Sequence, residues 1–534
     1  MLIDGRRTDP RAPRPYDLVI VGGGPAGLCL AMELEGAGLR IALLESGGET
    51  IDPDTQALYD GPVTGNADDL DLAAIRLRAL GGTSLHWGGR CTPLDPIDFD
   101  RAPPGQTGWP FGYEALLPYY ARAHPYCELG RFDYGLGAAR GLGAEDLLFA
   151  DSPDIETRLL RQSAPTRFGE RYLPALRDSA TTDLWLWTNA THLALGPDGA
   201  LAHVEARALG GPTRRFAARA AVLACGAVEN ARLLMAANAR DGHAFGDAGG
   251  LLGRCYMDHP SGGAAFLHFD RPQPPKAYWQ DIDTYADGDV PLHFVLRLSD
   301  AALRRETLPN AQFYVLPLAA DPAVRARERA ARRSVEGLKN VAKYALGRDT
   351  GPGFSLSREY CAFIANADSF VTDRAAAWLR GEGVQRALLK YEQEQRPDRE
   401  NRVVLTGTRD ALGQPRAGVH WAPAAEEIAA ARRAATLIGV AAGAEGLGRL
   451  QMEDHGDDPF WGMSTAWHQM GTTRMAEAPT AGVCDPSGRV HGTRALYMAG
   501  GSLFPAAGRS NPTLTAVALS LRLADHLKAE VPRL

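Results

Sequence analysis

Seven cysteines in 534 residues, at positions 29, 91, 127, 225, 255, 361 and 484, are too sparse and too irregularly spaced for a disulfide framework, so they read as reduced thiols. None forms a CxxC pair or stands beside closely spaced histidines, which leaves a structural zinc site without support. Long apolar runs are also lacking. Nothing approaches the about 18 consecutive apolar residues of a membrane span, and Met1 to Pro15 is polar, without the apolar centre of a secretory leader. The cytoplasm is therefore the expected compartment. Nor is there an excess of basic charge: 57 Lys and Arg against 64 Asp and Glu leave a net charge of −7, which argues against nucleic acid as a partner. No GxSxG surrounds Ser84, Ser464 or Ser502, so a serine hydrolase is excluded on motif grounds. Carboxylates are abundant, yet no spacing singles out a pair for glycoside hydrolysis. No internal repeat is visible.

What is present suits a large soluble enzyme. The length exceeds that of one ordinary hydrophobic core, and the 45% hydrophobic and 23% charged residues are near globular averages. Tyr16 to Val21 reads as a buried strand, Gly22 to Gly27 as a tight turn, Leu28 to Ala37 as a helix closed by Gly38, and Arg40 to Leu44 as a second strand. That succession is the βαβ unit that opens a doubly wound sheet. Strand-like runs return at Ala221 to Ala224 and Ala495 to Ala499, each followed by small residues and then a helical stretch, Val228 to Ala237 and Thr513 to Lys528. One nucleotide-binding domain assembled from distant segments follows. The chain between, roughly Pro260 to Leu450, alternates in strand fashion around His293 to Leu298 and Ala311 to Leu316, as an antiparallel sheet would. Asp321 to Gly347 reads as an amphipathic basic helix with a solvated face.

Gly22, Gly24 and Gly27 form GxGxxG between the first strand and the first helix. In that place the first glycine makes the turn, the second admits a pyrophosphate, and the third lets helix and sheet approach, while the helix N-terminus favours negative charge. Glu45 ends the second strand, where a carboxylate can accept hydrogen bonds from a ribose. The pattern does not choose between NAD and FAD.

The blocks VGGGPAGLCLAMEL, LGGTSLHWGGR (Leu80 to Arg90), LACGAVENARLL (Leu223 to Leu234), GRCYMDHP (Gly253 to Pro260) and the run from Trp467 together resemble the glucose-methanol-choline (GMC) oxidoreductase family, which binds FAD. The SLHW and NPTLT stretches place the resemblance closest to the branch of pyranose oxidases and bacterial sugar dehydrogenases. Arg271 to Leu450 matches poorly, apart from an echo in Glu392 to Val404. The resemblance implies an α/β protein with a doubly wound, Rossmann-like FAD-binding domain, over 15–100, 180–260 and 455–534, and a substrate domain with a largely antiparallel sheet, over 101–179 and 261–454. It also implies that Gly82, Thr83, Ser84, Trp87 and Gly88 pass close to the flavin, that the backbone at Gly501 and Ser502 returns to its pyrophosphate, and that Pro512 and Thr513 address its pyrimidine side. His86 matches the histidine that pyranose oxidases bond covalently to the flavin; covalent and noncovalent FAD stand about equal here.

Oxidising an alcohol by hydride transfer to flavin N5 needs a base for the hydroxyl proton, and histidine titrates near operating pH. His468, in WHQMGTTRM, matches the family's catalytic histidine, and Asn511, in SNPTLT, its asparagine partner. The resemblance implies His468 as general base and Asn511 as the group that orients the substrate oxygen. His259 and His491 are the competitors, His259 reading as structural. The expected substrate is a sugar, glycoside or polyol. Oxidation, cyclisation or elimination on a natural-product intermediate is the first alternative, and an inactive scaffold of the same fold is the second. Oxygen, a quinone or a partner protein as electron acceptor, and the oligomeric state, stay open.

Overall fold

A computed structural model describes residues 1–7, 15–66, 70–100, 107–164, 166–274, 276–279, 290–318, 383–452 and 463–534. The basic stretch Asp321 to Gly347 and Cys361 lie outside them.

Six strands form a parallel sheet, in the spatial order Leu2–Asp4, Thr182–Leu186, Ile41–Leu44, Tyr16–Val21, Ala218–Leu223, Leu496–Met498. Parallel sheets are covered on both faces, so their strands are apolar throughout, and Leu18, Val19, Ile20, Leu43 and Val222 are all fully buried. The Tyr16–Val21 strand has the Ile41–Leu44 strand on one side and the Ala218–Leu223 strand on the other. Strand order reverses there, and ligands of such sheets bind at the carboxyl ends beside that reversal. The sheet thus joins segments drawn from across the chain, as expected. It also takes in Leu2–Asp4, from the polar lead, and Thr182–Leu186, neither of which stands out as a strand in sequence.

The first helix spans Pro25–Glu33 rather than Leu28 to Ala37. It starts early because proline is well suited to the first helical position, where its missing N–H would have no partner. It stops early because Gly36 and Gly38 both adopt positive φ and turn the chain toward the next strand. The later helices run Gly226–Asp241 and Pro512–Glu530, longer than the sequence periodicity indicates.

The second sheet is antiparallel. Its strands lie in the order Gly448–Met452, Pro260–Gln273, Val384–Gln393, Ala311–Leu318, Leu292–Leu298, Ile155–Gln162, Arg90–Cys91, and Ser464–Thr465 pairs with the start of Pro260–Gln273. The helix Ala425–Ala444 covers one face, where Ala435 and Ile438 pack with Leu389, Phe313 and Leu267. Side chains alternate across a strand, so this packing turns Tyr314, Lys390 and Glu392 toward the opposite face. That face looks onto the carboxyl ends of the parallel sheet.

Candidate active site

A cavity of about 740 Å³ opens between the two sheets and is lined by both, within the ~300–1,000 Å³ usual for ligand sites. Three helix N-termini reach its wall, at Gly24 to Ala26, Cys225 to Ala227 and Asn511 to Thr513. Each presents unpaired N–H groups and the positive end of its dipole. The first begins at the glycine turn. Gly22 takes φ 109°, and a Cβ there would lie 2.6 Å from the Ala224 carbonyl oxygen, while one at Gly27 would lie 2.0 Å from that of Gly22. Gly27 therefore serves helix–strand contact and does not line the cavity. Gly24 has open space in front of it, where a pyrophosphate can approach the backbone.

Glu45 is buried at the cavity wall. Its carboxylate accepts the backbone N–H of Gly23 at 2.8 Å and of Gly47 at 2.7 Å, and the Ser46 hydroxyl at 3.0 Å. A carboxylate has about four acceptor positions, so it has one to offer a ribose while it braces the glycine turn.

Gly82, Thr83, Ser84, His86, Trp87 and Gly88 all line the cavity, as do Gly501, Pro512 and Thr513. Ser84 is the braced member, its hydroxyl donating to the Gly81 carbonyl at 2.7 Å. The Trp87 indole donates to the Thr166 carbonyl at 2.9 Å. The His86 ring lines the cavity with its centroid 6.0 Å from that of Trp467, and partial desolvation by the surrounding wall, followed by nearby Arg167, lowers its pKa. Ser502 is placed differently: it is fully buried, its Oγ accepting from the Asn230 amide at 2.9 Å, and it holds the turn behind Gly501.

His468 and Asn511 meet at the cavity wall, the Asn511 Nδ2 lying 3.2 Å from His468 Nε2. Asn511 Oδ1 is buried and has no hydrogen-bond partner among the described residues. A third group completes the arrangement. His259, fully buried behind His468, places its Nδ1 2.8 Å from His468 Nδ1, and its Nε2 lies 2.9 Å from the Gly508 carbonyl oxygen. Backbone pairing brings the two histidines together. Met257 and Met470 exchange both N–H···O bonds, Pro260 and Ser261 pair with Thr465 and Ser464, and the Asp258 carboxylate accepts the backbone N–H of His259 and of His468, each at 2.8 Å. Trp467 adopts φ 64°, an uncommon region for so large a residue, at the point where the chain bends to present His468. His491 lies elsewhere, its Nε2 on the Ala476 carbonyl.

The opposite wall is polar. Glu392 accepts from the Gln312 amide at 2.9 Å and the Tyr314 hydroxyl at 3.2 Å, and Lys390 stands 3.6 Å away. Burial works against the ionised carboxylate, but His468, Lys390 and the Gln312 bond outweigh it and lower its pKa. For His468, burial lowers the pKa, Glu392 raises it in part, and Lys390 adds to the lowering. His259 is driven down to about 3, by burial first and then by His468. Sequence reasoning missed Glu392, Lys390 and Tyr314 as cavity residues; the alternation of apolar and polar residues in their strands was the only signal. It reads His259 as structural, and the structure sets that residue against His468.

Residues 397–520 match the family described as GMC oxidoreductase, and residues 15–59 match the FAD binding domain. Among curated relatives, the fructose dehydrogenase large subunit of Gluconobacter japonicus is 24% identical over 96% of this chain and 97% of its own. The 2-methyl-1,2-propanediol dehydrogenase of Mycolicibacterium austroafricanum is 23% identical over 96% of this chain and 95% of its own. Among solved structures, a formate oxidase superposes with a TM-score of 0.56 at 16% identity, over 97% of this chain and 99% of its own. At that identity the superposition establishes the fold. Among the described residues no helix is long and apolar enough to cross a membrane.

Proposed function

We propose that this chain, whose residues 397–520 match the GMC oxidoreductase family and 15–59 an FAD binding domain, is an FAD-dependent oxidoreductase that oxidises a hydroxyl of a sugar, glycoside or polyol with His468 as general base. One observation carries the reading: the His468 Nε2 and the Asn511 amide stand on the wall of the same cavity that the glycine turn and three helix N-termini open onto. The residues present fit the cofactor. Gly24 leaves a cradle that a side chain would fill, the helix termini suit a pyrophosphate, and Glu45 suits a ribose. When bound there, the flavin supplies the acceptor for the hydride leaving the alcohol carbon.

The chain's own residues do the rest. His468 takes the hydroxyl proton at Nε2, where an unshared pair lies within reach of the cavity. Asn511, one of whose two amide N–H groups lies beside His468 Nε2, offers the other to the substrate oxygen. Glu392, close enough to His468 to raise its pKa, favours the imidazolium that results. The polar wall of Glu392, Lys390 and Tyr314 supports a substrate with several hydroxyl groups, since an apolar alcohol would displace water from that wall without offering hydrogen bonds in return. The names of the fructose and propanediol dehydrogenase relatives point the same way.

An anaerobic titration tests this. The purified protein is mixed with sugars, glycosides, polyols and simple monohydric alcohols while its visible spectrum is recorded. Bleaching of the flavin band by a sugar, glycoside or polyol, and none or far less by simple alcohols, is the expected result. A bound flavin that the whole set leaves oxidised would turn the assignment toward a biosynthetic intermediate, and a colourless protein toward a scaffold.

A further inference from the structure

We propose that His259 is a positioning residue that fixes the tautomer of His468, so that the base carries its unshared pair at Nε2, toward the cavity. This rests on the reading of His468 as the base. The Gly508 carbonyl can only accept, so the His259 nitrogen 2.9 Å from it, Nε2, bears a proton. In a neutral imidazole the other nitrogen is then an acceptor, and burial from solvent together with His468 keeps His259 neutral, its pKa down to about 3. Its Nδ1 lies 2.8 Å from His468 Nδ1. Two unshared pairs facing each other at that distance would repel, so the proton between them belongs to His468. With Nδ1 protonated, the neutral His468 has its unshared pair at Nε2, the nitrogen beside Asn511 at the cavity wall.

The chain of donors runs one way, from His468 Nδ1–H to His259 Nδ1 and from His259 Nε2–H to the backbone of Gly508. It is anchored at an atom that cannot reverse its role. When His468 gains a proton at Nε2, its Nδ1–H continues to donate to His259, so no second proton has to move. The Asp258 carboxylate holds the backbones of both histidines, at 2.8 Å each, which fixes their approach. A merely packed histidine would have no need of this directionality.

Neutron diffraction from deuterium-exchanged crystals of the flavin-loaded enzyme, above the pH at which histidines titrate, locates the protons directly. Deuterons on His468 Nδ1 and His259 Nε2, with none on His468 Nε2, are the expected result; a deuteron on His468 Nε2 overturns the proposal. A pair of variants supplies the kinetic test. His259→Asn keeps an acceptor near the place of Nδ1, whereas His259→Leu removes it. Flavin reduction by substrate should slow by about 10–100-fold in His259→Leu, the scale for groups that orient another ligand or base, and recover most of that loss in His259→Asn. Equal rates in the two variants, both slow or both unchanged, would show that His259 only fills space. Should His468→Ala reduce its flavin at the wild-type rate, the base assignment fails while the deuteron positions still decide the tautomer.

Discussion

His468 sits between opposing influences, and with His468 as the proposed base their balance sets the pH range of flavin reduction. Burial lowers its pKa below the ordinary 6.5, Glu392 pulls it back, and Lys390 adds to the lowering. A general base acts in its neutral form, so the rate of flavin reduction should rise with pH through the His468 pKa and level off above it. The bend is therefore predicted below pH 6.5, leaving the rate flat around neutrality. Glu392→Gln removes the carboxylate that favours the imidazolium, and should move the bend lower still. The facing groups are His259, Asp258, Glu392 and Lys390, of which His259 stays neutral and Asp258 is engaged with backbone N–H groups. Rapid-mixing measurements across pH decide this: a bend above 6.5 in the wild type, or an upward move in Glu392→Gln, would contradict the assigned electrostatics.

At the scale of elements, the helix Gly226–Asp241 is tied to the loop before the second glycine run. Its Glu229 is buried and paired with three guanidinium groups, Arg232 at 2.7 Å, Arg78 at 3.1 Å and Arg76 at 3.2 Å, and Arg76 and Arg78 both lie over the Tyr59 ring. Burial alone would raise the Glu229 pKa, but Arg232, Arg78 and Arg76 outweigh it and hold the carboxyl at about 2. Removing one carboxylate leaves three cations beside the cavity without their partner. Glu229→Gln should therefore cost about 3–5 kcal/mol of stability, the scale for breaking a buried pair. The pH dependence has a definite sign. The folded pKa lies below the unfolded value, so the stabilisation is full above the unfolded value of ~4.3 and fades as pH falls toward 2. Denaturant melts of wild type and variant at several pH values check both statements; equal stabilities at neutral pH would remove the network from the helix's support.

Across the whole molecule, what sequence made legible was what is local or strongly patterned. The Tyr16–Val21 strand, its glycine turn and Glu45 follow from about thirty consecutive residues, and His468 and Asn511 from motifs in a fixed order. The Leu2–Asp4 strand was hidden because three partly exposed residues carry too little periodicity, and pairing with Thr182–Leu186 is what makes them a strand. The polar wall was hidden for a related reason. Glu392 gains meaning only from Gln312 and Tyr314, about eighty positions away in sequence. His259 reads as packing in sequence because its contacts, with His468 209 positions along the chain and with the Gly508 carbonyl, are visible only in the fold. The division into an FAD-binding and a substrate domain remains our proposal, the two sheets being its physical basis. All of these parts converge on one claim, that His468 removes the hydroxyl proton at a cavity shaped for FAD. The most direct measurement is anaerobic rapid mixing of wild type and His468→Ala, at matched flavin content, with a sugar or polyol that bleaches the wild-type flavin. The variant should keep its flavin and be reduced about 100-fold or more slowly, the scale of a lost general base; a flavin-loaded variant reduced at the wild-type rate would contradict it.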